Sequence, residues 1–408
     1  MDETTARRLV LAAVAAGFAL RLAFGVLYWT GKPLTHDERE YLSLAGSVAA
    51  GRGFAYDASF EVGTGQQFGR APGYPLFLAA IGAGATPHQA TPLRVKIAQS
   101  LLGAATVLVL GLLAGLAGGP RAGAAASWLA AIYPPLVAVP SYVLSETLYS
   151  LVALSAALAL QSYLSANDTN RRHFGLAIAG GALTGLAALI RPAMLFFLPL
   201  AGLWLVFRRR YAAALLLTLA ACLVVLPWTV RNVRVYGRFV AIASEGGVTF
   251  WTGNHPLAIG EGDLAANPEI KRAELEFRRA RPALTPEELE PLYYRDALAY
   301  IRAHPGWWIA LVARKAFYTV VPLGPSYALH SARYRAASAA SYVILLPFAA
   351  AGARRLWGGP QPPVALALLA GSALLVCLVF FPQERFRIPV IDPTLIVCAS
   401  GLAGRPRL

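Results

Sequence analysis

Repeated long apolar runs constrain the fold of this chain more than any other feature of its sequence. Each run has roughly 15 to 25 residues, which is close to the length that an α-helix needs to cross the hydrocarbon core of a bilayer. The runs are continuously apolar, whereas the strands of a membrane β-barrel alternate in polarity. With 57% hydrophobic and only 14% charged residues, the chain has more apolar surface than a soluble domain needs. The sequence therefore predicts an all-α polytopic membrane protein.

About ten of the apolar runs are long enough to predict full spans. They cover residues 7–29, 93–117, 121–140, 143–164, 173–190, 193–207, 211–230, 337–353, 362–381 and 386–403. Two shorter stretches, 72–86 and 307–322, would each reach only about 23 Å as a helix, against roughly 30 Å of hydrocarbon. We therefore expect these two stretches to re-enter the membrane or to lie at its interface.

The basic residues of the short loops predict the orientation. If the two shorter stretches do not cross, these basic residues all fall on one side, as the positive-inside rule requires. They are Arg7, Arg8, Arg121, Arg171, Arg172, Arg208, Arg209, Arg210, Arg354, Arg355, Arg405 and Arg407. We expect a cell (inner) membrane protein with both termini in the cytoplasm. The same placement accounts for the net charge of +15 without a nucleic-acid partner.

The opposite, outer side collects two long loops and several charged turns. The first outer loop covers residues 30–92 and the long outer loop covers residues 231–306. The turns contain Glu146, Arg191 and the pair Glu384-Arg385. The sequence thus predicts a single transmembrane domain, 1–408, with juxtamembrane helices and a polar site at the outer face.

The first outer loop begins with a predicted surface helix. Thr35 followed three residues later by Glu38 is a capping box, and the apolar residues after it recur at helical spacing. Asp37 and Glu38 are two adjacent carboxylates where a helix leaves the lipid, which makes them candidates for proton-handling chemistry. The alternative is that both only stabilise the start of this helix through its dipole.

The long outer loop has three predicted parts. Residues 238–252 carry β-branched and aromatic residues broken by two glycines, which predicts two short strands or an irregular hairpin, followed by a turn at 253–256. Residues 268–281 predict a charged helix. Thr285 begins a second capping box, for a helix that ends before His304. We expect this loop to cover the outer cavity.

Familiar soluble-enzyme motifs are missing from the sequence. It contains no P-loop, HExxH or GxSxG motif, so we expect any donor substrate to come from the membrane. Cys222, Cys377 and Cys398 lie in apolar runs without CxxC spacing. We therefore expect these cysteines to be packing residues rather than part of a disulfide framework or a metal cluster.

A set of short polar motifs, taken in chain order, resembles the GT-C glycosyltransferases. The match is to the branch related to protein O-mannosyltransferases and the aminoarabinose transferases of lipid A, and it covers most of the chain. The motifs are Asp37-Glu38 with Tyr41, Arg70-Ala71-Pro72-Gly73-Tyr74-Pro75, Leu144-Ser145-Glu146, Arg191-Pro192, Pro227-Trp228-Thr229-Val230-Arg231-Asn232, Gly246-Gly247 with Gly253-Asn254, and Glu384-Arg385-Phe386-Arg387-Ile388-Pro389. The resemblance implies a GT-C-like transmembrane helical bundle.

The resemblance also implies an activity. It is the inverting transfer of a sugar, a hexose or a pentose, from a polyprenyl-phosphate donor to a lipid, glycan or protein acceptor at the outer face. Asp37 is carried over as the general base, with Glu38 as its catalytic neighbour. Such a mannosyltransferase-like enzyme would have membrane lipids as its surroundings and no nucleic acid as a partner.

The departing lipid phosphate would need cations, and four arginines are candidates. Arg70 and Arg385 rank first, followed by Arg191 and Arg231. Each has an alternative role. Arg70 could pair with a lipid headgroup, Arg191 and Arg231 could snorkel to the interface, and Arg385 could pair with its neighbour Glu384.

The remaining site candidates have less definite roles. Tyr74 and Asn254 belong to the motifs, and His36 either tunes the pKa of Asp37 or faces solvent. In oligosaccharyltransferase relatives an acidic residue of the second outer loop binds a divalent metal, which makes Glu146 a candidate ligand. The sequence around Glu146 contains no DxD motif, so the question of a divalent metal stays open. No other cofactor is expected.

Two hypotheses of other classes compete with the enzyme. A lipid-linked-sugar flippase or small-solute transporter would place charges along a path through both leaflets, and its halves often show inverted repeats, which this sequence lacks. A structural membrane component would leave the outer charged residues without a role. Whether the charges cluster at one face or extend through the bundle discriminates between the enzyme and the transporter.

Overall fold

The computed structural model describes residues 1–56, 69–84, 88–166, 171–262, 266–322, 324–325 and 331–404, except for the side chains of 171 and 172. Arg405, Arg407 and the end of the 72–86 stretch lie outside the described residues. The fold is 78% helical, and the described part of the chain contains no strand. The all-α membrane fold expected from the sequence is confirmed.

The described part of the chain contains eighteen α-helices. They are α1 (Glu3–Ala23), α2 (His36–Ala49), α3 (Gly73–Ala80), α4 (Leu93–Gly118), α5 (Pro120–Ile132), α6 (Pro134–Ala138), α7 (Glu146–Ser165), α8 (Arg171–Ile190), α9 (Phe197–Phe207), α10 (Tyr211–Tyr236), α11 (Gly246–Asn254), α12 (Pro268–Arg279), α13 (Pro286–Ala303), α14 (Pro305–Val320), α15 (Ala332–Trp357), α16 (Val364–Val379), α17 (Glu384–Arg387) and α18 (Ile391–Ser400).

Six helices among the described residues are long and apolar enough to cross a membrane. They are α1 with its continuation to Tyr28, α4, α7, α8 from His173 onward, α10 and α15. A seventh span results if α5 and the segment Pro134–Ser141, which are bent by 61°, count as one. The other three predicted spans form the shorter apolar helices Pro192–Phe207, Val364–Val379 and Ile391–Ala403. The prediction of about ten full-length spans was therefore too high.

The break after α5 shows why apolar composition overestimates span length. Pro134 lacks a backbone N–H, and the preceding Tyr133 is extended, with φ −66° and ψ 116°. The open carbonyls of α5 then need donors. Arg21 of α1, only 1% exposed, donates from Nη2 to Ala130 O at 2.9 Å and from Nη1 to Ala131 O at 3.2 Å. An arginine inside the first span thus serves as a helix cap.

The two shorter apolar stretches contain α3, of eight residues, and α14, of 16 residues, and neither is among the candidate spans. In the bundle, α8 packs against α7 and α10, and α4 packs against α1, α5 and α7. Small residues permit this close packing. A Cβ on Gly181 of α8, for example, would lie 2.2 Å from Leu217 O of α10.

The long outer loop is helical where strands were predicted. Residues 246–254 form α11, and Gly253 and Asn254 end that helix instead of forming a turn. The hairpin prediction was wrong because this segment packs on α13 as a helix, with Phe250 and Trp251 against the rings of Tyr294 and Tyr293. Trp251 contacts Tyr293 at 5.6 Å between ring centroids. The helix α12 and the capping box that starts α13 at Thr285 are confirmed.

Candidate active site

A cavity of about 750 Å³ lies where the outer-loop helices meet the bundle. This volume is typical of a small-molecule site. Its apolar lining includes Ile190, Leu195, Phe196, Val376, Phe380 and Phe381. Its polar lining includes Asp37, Tyr41, Arg70, Glu146, Arg191, Glu245, Glu290, Tyr294 and Arg385. The cavity can therefore hold a ligand with an apolar part and a charged or hydroxylated part.

Most of the charged lining residues lie at helix ends. Asp37 is the second residue of α2, and Glu146 is the first residue of α7. Arg191 follows α8 directly, and Arg385 is the second residue of α17. Helix bodies in the bundle are apolar and their ends carry the polar residues, so folding collects these side chains at one place. Residues far apart in the sequence, and predicted as site candidates, meet in this way.

Asp37 is held between two arginines. Its Oδ2 accepts a hydrogen bond from Arg385 Nη1 at 2.6 Å, and its Oδ1 accepts one from Arg70 Nη2 at 3.1 Å. Burial raises the pKa of the Asp37 carboxyl, but the two guanidinium groups more than offset burial, so the pKa lies well below its ordinary value. Asp37 is therefore an ionised carboxylate whose oxygens are both engaged.

Arg70 is surrounded by three carboxylates. Besides Asp37, its Nη2 pairs with Glu40 Oε2 at 2.5 Å and its Nη1 pairs with Glu245 Oε2 at 3.1 Å. Glu40 and Glu245 were not predicted from the sequence. The spacing of Glu40, three residues after Asp37 on one helix face, was a usable indication, whereas Glu245 had no local indication. The positive charge of Arg70 is thus largely compensated within the protein.

Arg191 and Arg385 both approach one aromatic ring. The guanidinium of Arg191 lies 5.1 Å from the ring centroid of Phe386, and that of Arg385 lies 5.5 Å from it. Among the described residues, each arginine has a single acidic partner: Arg191 Nη1 pairs with Glu146 Oε1 at 2.7 Å, and Arg385 pairs with Asp37. Because the Arg385 side chain is 40% exposed, it can reach a ligand in the cavity. These two residues, rather than Arg70, are the cations best able to accept another anion.

Glu146 does not fit the metal role that the sequence left open. Its side chain is 3% exposed, and the arginine beside it repels a divalent cation. The described residues contain no group of three or more His, Cys, Asp or Glu side chains arranged to hold a metal ion. Among the lining carboxylates, Asp37, Glu146 and Glu245 are instead each paired with an arginine.

Glu38 and Tyr74 lie outside the cavity lining and support it. Glu38 is buried, its Oε2 accepts from Thr35 N at 2.8 Å, and its Oε1 accepts from Val143 N at 2.8 Å. It therefore completes the predicted capping box and also ties α2 to the segment before α7. Tyr74 is buried, and its ring meets that of Tyr41 edge to face with 4.9 Å between centroids.

Asn254 also lies outside the lining and belongs to a buried polar cluster. Its Nδ2 donates to Val379 O at 2.9 Å, and its Oδ1 accepts from Lys315 Nζ at 2.9 Å. Lys315, fully buried on α14, also donates to Leu378 O at 3.2 Å. The cluster satisfies the open carbonyls at the end of α16, just before the chain reaches Arg385. Burial lowers the pKa of Lys315 to about 7. Sequence reasoning missed Lys315, although a lysine within an apolar stretch was visible.

The last two predicted residues have peripheral positions. Arg231 is not part of the lining. Its Nη1 donates to Tyr236 Oη at 3.2 Å, and its guanidinium lies 4.8 Å from the ring centroid of Trp228. His36 is exposed at the start of α2, next to Asp37 in the sequence.

Comparisons with known proteins find similarity at the level of structure. No family model and no curated protein matches the sequence. An oligosaccharyltransferase AglB from Archaeoglobus fulgidus, in complex with an inhibitory peptide and a dolichol-phosphate, aligns with 97% of this chain and 50% of its own, at TM-score 0.53 and 15% identity. The form of the Archaeoglobus fulgidus oligosaccharyltransferase tethered to an acceptor peptide aligns with 97% of this chain and 49% of its own, at TM-score 0.55 and 16% identity.

ArnT from Cupriavidus metallidurans bound to undecaprenyl phosphate aligns with 100% of this chain and 79% of its own, at TM-score 0.46 and 16% identity. The chain spans about half the length of the oligosaccharyltransferase structures that it matches. Its fold is that of the GT-C membrane glycosyltransferases, so the fold resemblance expected from the motifs is confirmed.

Proposed function

We propose that this protein is an inverting glycosyltransferase that moves a sugar from a polyprenyl-phosphate donor to an acceptor at the outer face of the membrane. The observation that carries the proposal is Asp37, held as a carboxylate between Arg70 and Arg385 in a cavity that also has apolar walls. The fold shared with an oligosaccharyltransferase whose structure contains a dolichol-phosphate supports the proposal. A GT-C fold is associated with glycosyl transfer.

The donor would occupy the cavity with its phosphate at Arg191 and Arg385. Guanidinium groups recognise phosphate oxygens through paired hydrogen bonds, and both of these arginines lie close to the ring of Phe386. The apolar side chains at Leu195, Phe196 and Val376 offer a surface for the first isoprene units. Phosphate and lipid would thus be recognised by different parts of one cavity.

Asp37 would act as the general base. The acceptor's hydroxyl or amine proton passes to the Asp37 carboxylate as the acceptor atom attacks the anomeric carbon. The bond from that carbon to the phosphate oxygen breaks, and its electron pair leaves with the lipid phosphate, where Arg191 and Arg385 stabilise the charge. A single displacement from the opposite face inverts the anomeric configuration.

Donor binding would also adjust the basicity of Asp37. In the structure described here, the two arginines hold the pKa of the Asp37 carboxyl well below its ordinary value, which makes it a weak base. A phosphate that shares Arg385 would partly neutralise that guanidinium, and the pKa of Asp37 would rise. The base would therefore become stronger when the donor is in place.

We place the protein in the cell membrane, with both termini in the cytoplasm and the cavity at the outer face. The first outer loop, 30–92, and the long outer loop, 231–306, would then be the outer parts of one domain, 1–408. The transporter hypothesis is less well supported. Most of the salt-bridged charges of the cavity lie at helix ends, and Arg21, a charge buried within a span, binds the carbonyls of α5.

The test is a transfer assay with purified protein in nanodiscs. A panel of radiolabelled polyprenyl-phosphate sugars is incubated with lipid, glycan and peptide acceptors, with and without a chelator. We expect label to leave at least one donor in the wild type but not in the Asp37→Asn variant, and we expect the chelator to have no effect. Label that leaves no donor, or a fully active Asp37→Asn variant, would contradict the proposal.

A further inference from the structure

A pair of side chains on α13 faces the cavity and has no role in the steps above. Glu290 and Tyr294 lie one helical turn apart, and both line the cavity. A Cβ on Gly246, at the start of α11, would lie 3.0 Å from Glu290 Oε1 and 2.7 Å from Tyr294 Oη. The carboxylate oxygen and the phenol oxygen therefore border the same point, which is left without a side chain because residue 246 is glycine.

Glu290 differs from the other acidic lining residues in its electrostatic surroundings. Asp37, Glu146 and Glu245 each form an ion pair with an arginine of the cavity. Glu290 forms no such ion pair among the described residues; the backbone of Gly247 lowers its pKa, whereas the carboxylates of Glu287 and Glu245 raise it. Burial, together with these two carboxylates, raises the pKa of Glu290 to about 7. Glu290 therefore keeps its proton to a higher pH than an ordinary glutamate, and a protonated carboxyl can donate as well as accept a hydrogen bond.

Tyr294 adds a second polar group and an aromatic face. Its ring lies 5.3 Å from that of Phe250, centroid to centroid. Within the described residues its hydroxyl forms no hydrogen bond with the protein, so it is available to a ligand. Carbohydrate hydroxyls donate and accept hydrogen bonds, while the C–H groups of a sugar ring pack on aromatic faces. The chemistry of this wall matches such a ligand.

An anion does not suit this wall. Glu290 forms no ion pair with an arginine among the described residues, so this wall offers a phosphate no cation, whereas Arg191 and Arg385 in the same cavity would attract it. A donor that carries both a phosphate and a sugar thus has two complementary regions to occupy.

We infer that Glu290 and Tyr294, beside the bare backbone of Gly246, form the subsite that binds the hydroxyl groups of the transferred sugar. This inference rests on the proposed function, and it assigns sugar recognition to α13 and phosphate recognition to Arg191 and Arg385.

The test compares two ligands that differ only in the sugar. Binding of a bare C55 polyprenyl phosphate and of the same lipid carrying the sugar transferred in the panel assay, or mannose if none is, is measured for Tyr294→Phe, Glu290→Ala and the wild type. One lost hydrogen bond to a neutral partner corresponds to roughly a tenfold change. We expect each variant to bind the glycosylated lipid about tenfold more weakly and the bare lipid unchanged. Arg295→Gln, exposed on the same helix, is the matched control.

Several outcomes overturn the inference. If the variants bound both lipids equally weakly, Glu290 and Tyr294 would contribute to lipid binding or to folding and not to sugar recognition. Unchanged donor binding with a raised KM for the acceptor would make this wall the acceptor site. Wild-type protein that binds the glycosylated lipid no more tightly than the bare lipid would also contradict the subsite. The proposed function fails separately, if the wild type transfers label from no donor of the panel.

Discussion

Arg385 donates a hydrogen bond from Nη1 to Oδ2 of Asp37 at 2.6 Å, joining residues 348 positions apart in the sequence. The contact connects α2 to α17. It also places a candidate base directly beside a candidate phosphate ligand.

The ion pairs of Asp37 should make stability depend on pH at the acid end. The folded-state pKa of Asp37 is lowered, so its contribution is fully present above the unfolded pKa of about 4 and is lost as pH falls through the folded-state pKa. The thermal midpoint of the wild type in detergent should exceed that of Asp37→Asn at pH 7, and the gap should narrow below about pH 4. If the two thermal midpoints differed by the same amount from pH 7 to below pH 4, the ion pairs of Asp37 would not be the source of the difference.

Lysine should not replace Arg191 and Arg385, the two arginines near Phe386, in binding the donor phosphate. An ammonium group lacks the planar fork that binds two phosphate oxygens. We expect Arg191→Lys and Arg385→Lys to weaken binding of a polyprenyl phosphate by about 10- to 100-fold, since each loses a charge-assisted hydrogen bond. Arg231→Lys, outside the cavity lining, should bind the lipid like the wild type. If Arg231→Lys were the most affected variant, the phosphate site would be elsewhere.

Glu38 should matter for stability through its two backbone partners. Glu38→Ala leaves the buried N–H of Val143 without its acceptor and removes half of the capping box. The expected loss is about 2 to 4 kcal/mol of unfolding free energy. Chemical unfolding in detergent would measure it, with Glu3→Ala at the exposed start of α1 as the control. Equal stabilities for the two variants would mean that the hydrogen bonds of Glu38 contribute little.

Lys315 should position the segment that carries Arg385. Lys315→Met leaves Asn254 Oδ1 and the carbonyl of Leu378 without this donor. We expect a lower thermal midpoint and a raised KM for the donor, with a smaller change in kcat. The neighbouring Arg314→Gln, on an exposed position, should change neither value. An unchanged donor KM in a destabilised Lys315→Met protein would limit the lysine to a structural role.

The outer-face location can be tested with single cysteines. In a background without Cys222, Cys377 and Cys398, an impermeant maleimide applied to intact cells should label Arg39→Cys, at an exposed position of α2. It should not label Arg208→Cys, which follows α9. Labelling of Arg208→Cys alone would invert the orientation that we propose.

Local features of this fold were predictable from the sequence. The capping boxes at Thr35 and Thr285 depend on residues three positions apart, so the helix starts were predicted correctly. The helix at residues 246–254 was not predicted, because its strand-forming composition is overridden by packing on α13. There the Cβ of any residue at Gly247 would lie 2.4 Å from Glu290 O. Long-range packing of this kind leaves no local trace in a sequence.

The candidate site was predictable only in part, for a similar reason. Charged residues at helix ends indicated Asp37 and Arg385, since such positions meet when helices bundle. The sequence could not indicate that Glu38 binds Val143, or that Asn254 binds the end of α16, because these partners are more than 100 positions away. A carboxylate that supports a backbone looks the same in sequence as one that handles a proton.

The most direct measurement is an experimental structure of the protein in nanodiscs with a bound polyprenyl phosphate. We predict density for the phosphate between Arg191 and Arg385, with Asp37 beside it and the isoprene chain along Leu195 and Phe196. A phosphate bound outside this cavity, with the contact between Arg385 and Asp37 unchanged, would contradict the account.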